Sequence, residues 1–76
     1  MFMFKCYVKV YKIISFKLLR ETVFYEKSEH SAKIRASQFG NGNSSGWVVY
    51  GTDDGDIQAT FTNDGVTTMK VEPIKG

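Results

Sequence analysis

The sequence predicts a single α+β domain in the order β-β-α-β-β-β, an antiparallel five-stranded sheet with one helix packed on one face. Three observations carry that expectation. Residues Trp47 to Glu72 hold three short alternating runs joined by two turns of one kind, Asp53-Asp54-Gly55 and Asn63-Asp64-Gly65. Residues 2–14 alternate apolar and polar with period two. Ser28 opens a run at helical spacing that closes at Gly40.

In the first run Phe4, Cys6, Val8 and Val10 fall on one side, and Lys5, Tyr7, Lys9 and Tyr11 on the other. Such alternation argues a half-buried strand over about 2–14, with a turn or bulge near Ile13-Ile14-Ser15. A second strand is expected at about 17–26. Thr22-Val23-Phe24-Tyr25 is a β-type run without a polar stripe at helical spacing, although neither face is cleanly apolar. Ser28 suits an N-cap, and Glu29 suits the positive end of the helix dipole. The helix should span about 29–39, with Gly40 as the residue after its end. Ala32, Ala36 and Phe39 share one stripe, and Ile34 falls opposite. Residues 40–46, rich in Gly, Asn and Ser, read as a flexible loop.

Strands are expected at about 47–52, 57–62 and 66–72. Glycine after an acid or amide accepts φ > 0, which makes both turns hairpin signals. Three-residue loops gather the apolar residues best. They set Phe61 opposite Thr67, Ala59 opposite Met69 and Ile57 opposite Val71. They also set Trp47, Val49 and Gly51 opposite Phe61, Ala59 and Ile57, with Val48 and Tyr50 exposed. A two-residue Asp54-Gly55 loop would bury Val48 and Tyr50 instead. The expected inner face is Phe4, Val8, Val10, Trp47, Val49, Ile57, Ala59, Phe61, Met69 and Val71, covered by Ala32, Ala36 and Phe39. Pro73, which lacks a donor, should end the last strand, leaving residues 74–76 as a tail.

The chain has 76 residues, enough for one small core. Its single cysteine, Cys6, cannot form an internal disulfide, which fits a reducing cytoplasm. Lysines interrupt the apolar N-terminus, so neither a signal h-region nor a membrane span is expected, and no membrane partner. The formal net charge is +2. Residues 1–20 carry four Lys and Arg20 without an acid, while residues 41–76 carry five acids against Lys70 and Lys75. A basic face and an acidic turn end follow.

The candidate binding row is Lys5, Tyr7, Lys9 and Tyr11. Alternate strand residues stand about 6.6 Å apart on one face. Interleaved cations and rings suit a partner protein, and they also suit single-stranded nucleic acid, which needs phosphate neutralisation and stacking. Gln58, Thr60, Thr68 and Lys70 would extend that face. Lys33 and Ile34 offer a contact on the solvent side of the helix. An ordinary solvated sheet face is the plainer reading, and the small net charge weakens the nucleic-acid one.

Asp53-Asp54-Gly55-Asp56 has the wrong spacing for a calcium loop and reads as turn acids. His30 and Cys6 have no sequence context that makes them catalytic, so no enzyme, metal or cofactor is expected. An exposed edge strand leaves a homodimer open.

The element order, the short length and the stretch Glu26, Ser28, Ala32, Lys33, Ala36 resemble one class of small phage anti-CRISPR proteins. Members fold one helix against a five-stranded antiparallel sheet. They inhibit by binding the guide-RNA surveillance complex over its DNA-facing surface. The resemblance implies a viral, non-enzymatic inhibitor in the host cytoplasm, whose partner is a host protein or nucleoprotein complex blocked by steric occlusion. The basic first strand and the Gly/Asn/Ser loop depart from that pattern, and no site residue is carried over.

Overall fold

The structure, a computed structural model, describes residues 2–40, 46–62 and 65–75. It holds strands β1 (Phe2–Lys12) and β2 (Leu18–Glu26), helix α1 (Glu29–Gly40), and strands β3 (Val48–Thr52), β4 (Gly55–Phe61) and β5 (Gly65–Lys75). The strands form one antiparallel sheet in the order β2-β1-β5-β4-β3, with α1 on one face. The predicted fold class is the one observed. Most of the predicted loop 40–46 lies outside the described residues.

The first and last strands pair along their whole length, from Phe2 opposite Lys75 to Lys12 opposite Gly65. This long ladder is the spine of the sheet. β2 flanks it on one edge. A bulge between Val10 and Tyr11 leaves Leu19 without a partner in β1.

Helix α1 begins as expected. The Ser31 N–H donates to Ser28 Oγ at 3.1 Å, which satisfies one of the free N–H groups of the first turn. Its buried residues are Ala32, Ala36, Ser37 and Gly40. Small side chains let the helix axis approach the sheet. Gly40 corrects the sequence expectation: it is the last helical residue, not a left-handed residue beyond the end. A Cβ there would strike the Thr67 side chain. Its role is close approach, not conformational freedom.

The core under the helix comprises Cys6, Val8, Phe24, Ala32, Ala36 and Met69, with Phe4, Phe39, Trp47 and Val71 packed around it. Arg35 seals one side. Its guanidinium lies 4.5 Å from the Phe24 ring centre and 2.9 Å from Glu26 Oε2. Trp47 Nε1–H donates to Ser37 Oγ at 3.2 Å and ties the chain before β3 to the helix.

The hairpin registers differ from the sequence expectation. β4 and β5 pair Phe61 with Val66, Ala59 with Thr68 and Gln58 with Met69. β3 and β4 pair Thr52 with Gly55, Tyr50 with Ile57 and Val48 with Ala59. Both loops therefore hold two residues, Asp53-Asp54 and Asn63-Asp64, the second lying outside the described residues. The expected likeness of the two turns holds, but each glycine is the first residue of the next strand. In each turn the threonine hydroxyl before the loop donates to the carbonyl of that glycine, Thr52 to Gly55 and Thr62 to Gly65. Gly55 has φ 110°, and a Cβ on Gly65 would meet the Tyr11 carbonyl of β1.

A one-residue change of register exchanges the two faces of a strand. Ile57, Ala59 and Phe61 consequently lie on the face away from the helix, with Tyr11, Val66 and Thr68. Gln58 and Thr60 lie on the helix side, the reverse of their expected positions. Val49 shares the helix side but is exposed, because β3 is an edge that α1 does not reach. Pro73 does not end β5. It pairs with Phe4, beyond the last β4 partner at Met69, so β5 has β1 on one flank only. There a missing donor need not break a ladder bond.

Thr67 Oγ1 is buried beneath Gly40 without a hydrogen-bond partner. An isosteric methyl removes an unsatisfied polar atom at little steric cost. Thr67→Val should raise the unfolding free energy by about 1 kcal/mol, read as a shifted denaturant midpoint at constant m-value. Gly40→Ala should lower it by about 1–3 kcal/mol through overpacking.

Candidate protein-binding face

The open face is built by the register of β1. Cys6, Val8 and Val10 are buried beneath the helix, so Lys5, Tyr7, Lys9 and Tyr11 must point the other way. This is the placement expected from the alternation. Lys70 and Thr68 join them, opposite Tyr7 and Lys9 in β5. The structure thus brings together Lys5, Tyr7, Lys9, Tyr11, Thr68 and Lys70. It takes away Gln58 and Thr60; Thr60 is buried on the helix side, 1% exposed. Ile34 is exposed and Lys33 half-buried on α1, remote from the row by being on the other side of the sheet.

Two carboxylates sit within the row. Cross-strand partners place Glu72 opposite Lys5 and Glu21 opposite Lys9. Tyr7 Oη donates to Glu72 Oε2 at 3.2 Å, which orients the ring across the strands. Lys5 Nζ lies 5.1 Å from the centre of the same ring. Tyr7 first, then Tyr25 and least of all Glu72, raise the Lys5 ammonium above its ordinary pKa, burial opposing them. The face is therefore one of compensated charge. Lys5 keeps its proton across the physiological range, and both Lys5 and Lys9 have an acid as cross-strand partner.

Next to this polar half lies an apolar half, of which Val48 and Tyr50 are exposed as expected while Ile57, Ala59 and Phe61 were expected beneath the helix. Phe61 is 53% exposed, and Val48 and Tyr50 stand beside it on β3. Ala59 and Val66 are buried beneath this layer. A groove of about 420 Å³ runs between Tyr7, Lys9 and Tyr11 of β1, Lys70 of β5, and Ile57 and Asp54 of the β3–β4 hairpin. A second, of about 350 Å³, is lined by Tyr11, Phe16, Tyr50, Ile57 and Phe61. The hairpin reaches the first groove because β4 leaves β5 before Gln58. The repeated Thr-x-x-Gly spacing at 52–55 and 62–65 was the available signal for both two-residue loops, and through them for this apolar half.

Cys6 and His30 do not form part of this face. Cys6 is fully buried and its thiol points to the Phe4 carbonyl, 3.6 Å away. Burial pushes the thiol pKa up, Glu26 and Glu29 adding to it and Arg35 opposing. His30 is exposed at the start of α1. Among the described residues no cluster of three or more His, Cys, Asp or Glu could hold a metal ion. Nor is any helix long and apolar enough to cross a membrane.

No family model, curated protein or solved structure matches this chain.

The thiol gives a test with a definite sign. Because the folded pKa of Cys6 is raised, the unfolded chain releases this proton first. Its contribution to stability is complete below the unfolded thiol value, roughly 8.5, and declines as pH rises towards the folded one. Cys6→Ala should flatten that part of the alkaline stability profile. The folded parent should resist thiol alkylation until denaturant opens the core.

Proposed function

We propose that this chain is a non-enzymatic protein-binding module that uses its open sheet face. One observation carries the reading: a single helix covers one side of a five-stranded sheet, and the other side exposes tyrosines, phenylalanine and balanced charge around two grooves. Tyr and Phe are enriched in the cores of protein interfaces, whose rims are polar. Compensated Lys/Glu pairs favour a partner of mixed surface charge and set register on it. The layout resemblance to small anti-CRISPR proteins extends the proposal to a phage or mobile-element inhibitor. It would lie on a host protein or nucleoprotein complex in the cytoplasm and block it by steric occlusion.

Tyr7→Ala with Tyr11→Ala removes two rings without touching the helix-side core. Affinity purification from the native cell, followed by mass spectrometry, identifies the partner. The double variant should lose its capture while keeping the parent melting temperature. Undiminished capture would falsify the site assignment.

The second reading, single-stranded nucleic acid on the same row, draws on the interleaved Lys and Tyr. Glu72 and Glu21 beside the lysines oppose it. Backbone binding releases counterions and weakens steeply with salt. Labelled oligonucleotides titrated across a salt series should show weak binding with a shallow slope. Tight binding with a steep slope would transfer the face to nucleic acid.

A further inference from the structure

The tip of the β1–β2 hairpin carries a combination that the open-face row does not use. The Lys12 N–H donates to the Lys17 carbonyl at 2.8 Å and closes the neck of a short loop. Inside it the Ser15 N–H donates to the Ile13 carbonyl at 2.8 Å, and Ile14 between them has φ 72°. An i→i+2 bond over a positive φ marks the rarer, strained hand of γ-turn. Phe16 follows at φ 52°. Branched or bulky residues in that region are outliers, because Cβ crowds the backbone. Such strain clusters at functional sites.

Here the strain leaves both side chains largely exposed, Phe16 only bordering the second groove. Ile14 is 91% exposed and Phe16 68%. Leu18 and Leu19 beside them are also exposed. Leu18 shares the open side of the sheet with its β1 partner Tyr11. Lys12 and Lys17 flank its neck, and every charged residue from 9 to 20 is Lys or Arg. Arg20 is turned to the helix side, 5.2 Å from the Phe39 ring centre. The register puts Asp53, Asp54 and Asp56 near the opposite end of the sheet.

We propose that this tip docks on an anionic lipid bilayer. Ile14 and Phe16 enter the boundary between headgroups and acyl chains, and Lys12 and Lys17 meet the lipid phosphates. Charge complementarity selects that surface, since basic residues beside an apolar anchor bind anionic leaflets. Shape selects it over a folded protein. A specific protein interface covers about 800 Å² on each partner, and a narrow tip of four side chains offers no such area. The contact is peripheral and needs no spanning segment.

Vesicle co-sedimentation of the full chain tests this, using phosphatidylcholine alone and phosphatidylcholine mixed with phosphatidylserine. The chain should bind the mixed vesicles, roughly tenfold or more tighter than the neutral ones. Ile14→Gly with Phe16→Asn removes both apolar side chains and both strained positions, because Gly and Asn accept φ > 0. This variant should melt at or above the parent temperature, yet bind mixed vesicles roughly tenfold or more weakly. No binding of the parent to mixed vesicles overturns the proposal, as does unchanged binding of the variant. A variant that melts below the parent removes the strain on which the assignment stands. Capture of a protein through Ile14 and Phe16 by a chain that ignores vesicles reassigns the tip to a protein contact.

Discussion

The fold depends on how closely one short helix approaches the sheet. α1 rests on β1 and β5 through Ala32, Ala36 and Gly40, spaced four residues apart, and these have almost no side chain. The close seat lets Met69, Val8 and Cys6 fill the space from below with no exposure at all. A larger residue at any of the three positions would lift the helix and open the core. Because the seat is narrow, its margins are closed by flat or long side chains laid over it. Arg35 lies on Phe24, Arg20 near Phe39, and Trp47 is pinned to Ser37. Such side chains cover apolar surface while their polar ends remain wet.

Everything on the far side of the sheet follows from that choice. Twelve helical residues cannot cover five strands. The apolar residues of β4 on the far side, Ile57, Ala59 and Phe61, therefore lie outside the helix-covered core, in a groove they share with Tyr11, Phe16, Tyr50, Val66 and Thr68. The result is a sheet with a buried side and a half-sheltered side. The half-sheltered side is rich in rings and poor in net charge. Exposed apolar surface arranged in this way, rimmed by polar residues, is what interaction surfaces present. The same economy at the hairpin tip leaves Ile14 and Phe16 outside any core.

Much of the architecture was legible in the chain. Period two assigned the side chains of residues 4–11 to their correct faces, because both ladders of β1 preserve the alternation through Val10. Ser28 marked the helix start, and Ala32 and Ala36 its buried stripe, by local rules that need no tertiary partner. The hairpin registers were not legible by the criterion applied. Gathering the apolar residues on one face presumes that only one face is sheltered. Here Ala59 and Val66 are buried on the side opposite the helix, so that presumption selected a register one residue off. With it went Gln58 and Thr60, expected among the binding residues and found on the helix side. Pro73 misled for a related reason: a donor is missed only where a neighbouring strand is present to receive it.

The sequence by itself determined the order of elements, the helix cap and which residues of each strand share a side. These depend on backbone geometry within a few residues. Only the tertiary structure decided that the first and last strands lie together at the centre, that Glu72 and Glu21 stand across from Lys5 and Lys9, and that the apolar residues of β4 face away from the helix. Each is a relation between segments remote in the chain. Local alternation gives a strand two sides but does not label them. The label comes from hydrogen-bond register, which is fixed jointly by the turns and by what packs on the sheet.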